Sequence, residues 1–303
     1  MTTTLRTREL MKEVRRLQIR SSRRVDALFA GEYQSAFRGQ GIEFSDVREY
    51  APGDDVRTID WNVTARSGRT HVKRFVEERQ LTVIIAIDLS ASGAFATAGR
   101  LKSDIAIELG AVIALAATKN NDRVGLMLFS DHVETFIPPR KGRGHVLRIM
   151  RDMLEFTPAG HGTDIPGALK SMRTLLRRRA LIFLVSDFLA PISGEGGFDR
   201  PLRRLAIRHE VIAVKLSDPR DREIPAVGVV RTVDPESGRH AWIDTSSRRI
   251  RRTLTDRAIA HEAALNTALR RAKVDRIDIA TNRPFVPDLA RYFELREKGG
   301  RRR

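Results

Sequence analysis

From residue 81 onward, apolar and polar positions follow one another in blocks. "LTVIIAIDL" (81–89) is a continuous apolar, β-branched run, the pattern of a strand covered on both faces. "LKSDIAIELGAVIALAATKN" (101–120) is apolar around most of a helical circumference and reads as a buried helix. "DRVGLMLFS" predicts a second strand, and "HVETFIPP" an antiparallel partner after a tight turn. "GHVLRIMRDMLEF" and "TDIPGALKSMRTLLRR" predict helices, the latter with Asp164 as N-cap and Pro166 in its first turn. "ALIFLVSDF" is a third core strand, "DRPLRRLAIRH" a helix and "EVIAVKLSD" a strand. "VGVVRTVDPESGRHAWIDT" reads as a hairpin turning at Pro235–Gly238, followed by a helix over about 248–272. "VDRIDIAT" is a last strand and "FVPDLARYFELREK" a last helix.

The first eighty residues differ. Residues 1–30 carry Leu10, Val14, Leu17, Val25 and Leu28 at roughly helical spacing and predict a charged amphipathic helix. Residues 31–80 are rich in Gly, Asp and turn signals. Within them "IEF", "VREY", "TIDWNVTAR" and "HVKRFVEE" read as short strands, with "APGDD" and "RSGR" as turns. The pattern divides the chain into an N-terminal helix and β-rich segment (1–80), an α/β domain (81–296) and a disordered basic tail (297–303). Strands alternating with helices predict an α/β fold: a doubly wound, mainly parallel sheet with helices on both faces. Ligands of such sheets bind just beyond the carboxyl ends of the strands.

Composition narrows the class. The 303 residues suffice for one large α/β domain with an N-terminal extension. There is no cysteine, so disulfides, thiolate metal sites and cysteine nucleophiles are excluded, in keeping with a reducing cytoplasm. The N-terminus lacks the apolar core of a secretory signal, and no apolar run is long enough to span a bilayer. A soluble, cytoplasmic protein is expected. The net charge of +17 is carried mostly by arginine spread along the chain, with clusters at 177–179, 248–252 and 301–303. Aromatics are sparse, so a solvated basic surface fits better than a specific nucleic-acid site. Peripheral contact with an anionic membrane surface stays open.

Catalytic motifs are mostly excluded. The Gly93–Gly99 spacing is one residue too long for a phosphate loop, and Arg100-Leu101 replaces the required Lys-Ser/Thr. "GRGHVL" lacks the third glycine and the preceding strand of a dinucleotide loop, and no G-x-S-x-G occurs. An aspartyl-phosphate hydrolase would need a second carboxylate where Ser90 stands. What remains is "DLSAS". Asp88, Ser90 and Ser92 alternate along an extended chain and a turn, so their oxygens can converge at a strand end. A carboxylate and two hydroxyls suit Mg²⁺. They equally suit a turn in which Asp88 accepts loop amides and a serine caps a helix. Thr163 in the Gly-rich "AGHGTDIPGAL" and Asp187 after "LIFLVS" fall on the same predicted edge and weigh toward a cation site.

D-x-S-x-S after the first core strand, a loop threonine and a distal aspartate resemble the metal-ion-dependent adhesion site of von Willebrand factor A domains. Asp88, Ser90, Ser92, Thr163 and Asp187 match its five positions. The stretch "FRGQGIEFSDVREYAPGDDVRTIDWNVTARSGRTHVKRFVEER" further resembles a bacterial von Willebrand A-like family, domain of unknown function 58. Its members are typically encoded beside MoxR-type AAA+ ATPases. The resemblance implies Mg²⁺, with Mn²⁺ as the alternative ion. Ser90 and Ser92 would ligate it directly, Thr163 directly or through water, and Asp88 and Asp187 mostly through water. It implies a non-enzymatic adaptor or co-chaperone whose partner, a MoxR-type ATPase or its client, completes the ion with a carboxylate. A Mg²⁺-dependent hydrolase at the same site, with His161 nearby in sequence, and a basic nucleic-acid or membrane-surface binder are the rival readings. In 31–80, Gly39, Gly41, Arg48, Asp54, Asp55, Asp60, Trp61 and Arg66 form either a partner surface or a small docked β-structure. The second reading, with Phe44 and Trp61 as core and Arg–Asp pairs fixing turns, is the simpler.

Overall fold

The structure, a computed structural model, describes residues 14–25, 43–76, 80–94, 100–160, 162–221, 223–233 and 239–300. Its centre is a six-stranded sheet: β3 (Thr82–Asp88), β4 (Arg123–Phe129), β5 (Val133–Arg140), β6 (Leu181–Ser186), β7 (Glu210–Ser217) and β10 (Asp275–Ala280), in the order β10-β7-β6-β3-β4-β5. All pairings are parallel except β4 with β5, which follows a short turn and is antiparallel as predicted. The β-branched run of β3 sits at the middle of the sheet, and β3 is buried from Val83 to Asp88.

The strand period of two sorts β3 between two cores. Val83, Ile85 and Ile87 face a layer that contains α3 (Lys102–Lys119), α4 (Arg143–Glu155) and α8 (Val286–Gly300). Ile84 and Ala86 face α5 (Ile165–Leu175), α6 (Asp199–Ala206) and α7 (Arg248–Ala272). Helices on both faces make the doubly wound α/β fold that the block pattern predicts. α3 is buried around most of its girth because it lies over the central strands, and the close approach is visible at Gly110. A Cβ there would stand 3.2 Å from Ile87 Cδ1 and 3.1 Å from Met153 Sδ.

Residues 14–25 are helical (α1), as predicted for part of 1–30; Leu10 and Leu28 lie outside the described residues. Val14, Leu17 and Val25 are buried in the first of the two cores, and the Arg24 guanidinium lies 4.7 Å from the centre of the Phe285 ring. α1 is thus a piece of the main domain's outer layer, although its sequence precedes the predicted domain boundary.

The 43–76 segment corrects two expectations. β1 (Glu43–Glu49) merges the predicted "IEF" and "VREY" strands and pairs antiparallel with β2 (His71–Val76). "TIDWNVTAR", expected as a strand, instead forms a 3₁₀ turn at Val56–Thr58 and the short helix α2 (Trp61–Ser67). The cause is capping. Asp55 Oδ1 accepts from Arg57 N, Asp60 Oδ1 accepts from Asn62 N and Val63 N, and Gly68 closes the helix at φ 69°. Of the expected strand only an isolated bridge, Ile59 to Val72, survives. Trp61 is 70 % exposed and is no core residue. The Arg–Asp reading does hold at Arg48–Asp54, a 2.7 Å pair in which Asp54 also accepts from Ala51 N.

β8 (Val229–Val233) and β9 (His240–Asp244) pair antiparallel as expected for the hairpin; its expected turn at Pro235–Gly238 lies outside the described residues. α8 continues to Gly300, so residues 297–300 of the expected disordered tail are helical, and only 301–303 lie outside the described residues. Among the described residues no helix is long and apolar enough to cross a membrane.

Candidate functional site

Asp88 is the last residue of β3, at the centre of the sheet's carboxyl edge. The chain turns sharply there. Ser90 N donates to Asp88 Oδ1 at 3.0 Å, an Asx turn, and Gly93 N donates to Ser90 O within the 3₁₀ turn Ala91–Ala94. The turn brings the two hydroxyls together, with Ser90 Oγ and Ser92 Oγ 3.0 Å apart and both residues buried. The convergence predicted for D-x-S-x-S is therefore present.

Asp187 joins the cluster from the neighbouring strand β6. Its predecessor Ser186 donates to Asp88 Oδ2 at 2.6 Å and accepts from Phe188 N. Phe188 is fully buried at φ 55°, a left-handed conformation that costs a bulky residue on the order of 1–3 kcal/mol. That conformation is held from outside: His261 Nε2 on α7 donates to Phe188 O at 2.7 Å. It turns the next amide back, so that Leu189 N donates to Asp187 Oδ1 at 3.2 Å.

Thr163 lies half-buried on the loop between α4 and α5, at the same edge. The loop is anchored beside β3. Asp164 N donates to Ser130 O at the end of β4, and Glu134 accepts from Ala159 N, Gly160 N and Ser130 Oγ. Gly160 lets the loop pack close to the end of β4, since a Cβ there would displace the Asp131 carboxylate and the Ser130 hydroxyl. Asp164 caps α5 through Gly167 N, as expected. Hydrogen bonds thus link Asp88, Ser90, Ser92 and Ser186, Asp187 follows Ser186 in the chain, and Thr163 occupies the adjoining loop. His161 lies outside the described residues.

The sequence did not disclose Lys102, Asp221, Asp218 or Ser186. Lys102 opens α3, is 2 % exposed, and places Nζ 3.2 Å from Asp187 Oδ2 and 2.9 Å from Asp221 Oδ2. Asp221 Oδ2 also accepts from Asp218 N, and Asp218 Oδ2 accepts from Thr281 Oγ1 at the end of β10. These contacts run from Asp187, after β6, through Lys102, Asp221 and Asp218 to Thr281 after β10.

Electrostatics favour a cation here. Burial pushes the Asp88 carboxyl up to about 6, and the nearby Asp187 charge adds to the rise. The bonds from Ser186 and Ser90 oppose it. Among the described residues that carboxylate is bonded by an amide and hydroxyls, and no ion pair to it is formed. For Lys102, burial works against the ammonium, but Asp187 and Asp221 outweigh it and hold it charged. Among the described residues no group of three or more His, Asp or Glu side chains is placed to hold a metal ion. An ion at this edge would therefore draw on hydroxyl oxygens, as the resemblance implies. Two adjacent serine hydroxyls beside a desolvated carboxylate fit a hard divalent cation.

An uncharacterized protein of Mycobacterium tuberculosis is 34 % identical over 295 residues, covering 96 % of this chain and 91 % of its own. A Mycobacterium avium protein is 32 % identical over 169 residues, 54 % of this chain and 96 % of that one. Similar solved structures include the conserved hypothetical protein BatB from Bacteroides thetaiotaomicron, at 17 % identity, 72 % and 99 % coverage and TM-score 0.47. Another is the SpRpn10 VWA domain, at 13 % identity, 71 % and 95 % coverage and TM-score 0.41. The model of the family described as "Protein of unknown function DUF58" matches residues 46–264, and with it the chain belongs to that family.

Proposed function

We propose that this protein is a metal-ion-dependent protein-interaction module rather than an enzyme, with Mg²⁺ held at the carboxyl edge of the sheet. The observation that carries the reading is the paired Ser90 and Ser92 hydroxyls, 3.0 Å apart, beside the buried Asp88 carboxylate. Ser90, Ser92 and Thr163 would supply neutral oxygens to the ion. Asp88 and Asp187 would orient bound water and offset its charge. When bound, Mg²⁺ supplies an electrophilic coordination position for an oxygen ligand from outside the chain.

The rest is the work of this chain. Ser186 fixes Asp88, and the strained Phe188 turn fixes Asp187, so neither carboxylate is free to swing in and saturate the ion. A site built mainly of hydroxyls leaves room for a partner carboxylate. Leu101 and Leu189, both partly exposed and adjoining Lys102 and Asp187 in sequence, offer apolar contact near it. The first partner to test is a MoxR-type AAA+ ATPase, with its client second, which would make the protein an adaptor in a chaperone-like assembly. Binding to the ATPase should require Mg²⁺ and be lost with EDTA. It should weaken at least tenfold in a Ser90→Ala, Asp187→Ala double variant; unchanged affinity in that variant would sink the metal-bridged model.

A further inference from the structure

The candidate site already contains a cation of its own. Lys102 is one of the few buried lysines of the chain, and its ammonium sits on Asp187, the aspartate that the metal reading needs. Both Asp187 oxygens are engaged: Oδ1 accepts from Leu189 N and Oδ2 from Lys102 Nζ. A divalent ion drawing on Asp187 must therefore share that carboxylate with an ammonium of the same sign. At contact distances inside a protein, such like-charge repulsion is far from negligible.

The geometry also provides for the ammonium once Asp187 is withdrawn. Asp221 lies 2.9 Å from Nζ and is itself fixed by Asp218 N. Its turn, Pro219–Asp221, follows β7, whereas Asp187 follows β6, so the two acceptors belong to separate elements. Lys102 can release one without being left unpaired in a buried position, which would be costly.

We infer that Lys102 is a positioning residue that competes with the divalent ion for Asp187, holding the empty site together and setting a weak, readily reversed metal affinity, with Asp221 as the acceptor that retains the ammonium when the ion binds. The inference rests on the metal-site reading above. It implies a site that the ion alone fills only weakly and that fills more readily when a partner carboxylate completes it, since the ion has to displace an existing ion pair.

The test is Mg²⁺ binding by titration calorimetry to the full chain, comparing wild type with Lys102→Met/Asp221→Asn. This double variant removes one positive and one negative charge, so the net charge is unchanged, and of Lys102's two carboxylate partners only Asp187 is left without the ammonium. Lys102→Gln, which keeps a donor but not the charge, is the second variant. Circular dichroism establishes that each is folded. Both should bind Mg²⁺ on the order of tenfold more tightly than wild type. A purely structural Lys102 would give equal or weaker binding, and that result overturns the inference while leaving the metal site standing. Absence of Mg²⁺ binding in wild type and in both folded variants overturns the metal reading itself, and this inference with it.

Discussion

The two edges of the main sheet bury polar groups in different ways. At the carboxyl edge Asp88, Ser90, Ser92 and Ser186 hydrogen-bond to one another across β3 and β6, and beside them Lys102 on α3 pairs with Asp187. At the amino edge the buried polar groups stand alone. Among the described residues Asp122 serves a single amide, Leu81 N at 2.8 Å, and neither ring nitrogen of the buried His209 has a hydrogen-bond partner. Burial pushes Asp122 up to about 6, against some help from its bond to Leu81 N and the charge of Lys141. It pushes His209 down, with Arg208 adding to the effect. Isolated buried groups of this kind respond to pH by losing their charge. At the linked edge burial raises Asp88 as well, to about 6, but there Asp187 and Asp221 hold the Lys102 ammonium charged against its burial.

Breaking the linked edge should cost most. Lys102→Met alone leaves Asp187 and Asp221 facing each other without their shared cation, and should destabilise the Mg²⁺-free protein by about 3–5 kcal/mol in denaturant unfolding. Added Mg²⁺ should recover part of that loss, and more of it than any gain it gives wild type. Ser186→Ala strips a donor from Asp88 Oδ2 and an acceptor from Phe188 N, both buried, and should cost about 1–3 kcal/mol.

The isolated edge should behave oppositely. The Asp122 carboxyl binds its proton more tightly folded, at about 6, than at its ordinary 3.8. Between those values the native state holds more protons than the unfolded chain, so its contribution to stability falls as pH rises through the window and stays lost above it. Asp122→Asn should therefore stabilise the protein by about 1–2 kcal/mol at neutral pH and make little difference below pH 3.8, read from unfolding curves at both. His209 has the opposite sign. Its folded value lies below 6.5, so the unfolded chain takes the proton first and stability drops as pH falls below that value. His209→Leu should flatten the decline on the acid side. Equal pH profiles for wild type and variant would show that this ring does not titrate with unfolding.

Much of this contrast was legible in the sequence on one side only. "TVIIAID" and "LIFLVS" declare doubly covered strands because burial on both faces leaves no polar alternation, and D-x-S-x-S declares its own convergence. Lys102 declares nothing. A lysine at a helix start ordinarily projects into solvent, and only the meeting of α3 with the loops after β6 and β7 buries it. Asp221 sits in a Pro- and Arg-rich stretch that reads as surface loop, and Ser186 is hidden in an apolar run. In 43–76 the period-two look of "TIDWNVTAR" concealed a helix whose signal was the capping aspartate rather than the apolar spacing. Trp61, expected to be core, lies exposed for the same reason, as the first residue of a short helix with one face open. Capping and long-range pairing depend on where a single side chain reaches, and hydropathy patterns average that away.

The central claim is that the carboxyl edge takes a divalent cation through Ser90 and Ser92. The direct measurement is calorimetric Mg²⁺ titration of the wild-type chain and of a Ser90→Ala/Ser92→Ala variant at neutral pH. The account expects a single saturable site in wild type that disappears from the folded variant. Equal binding by the two proteins, or none by wild type, would contradict it.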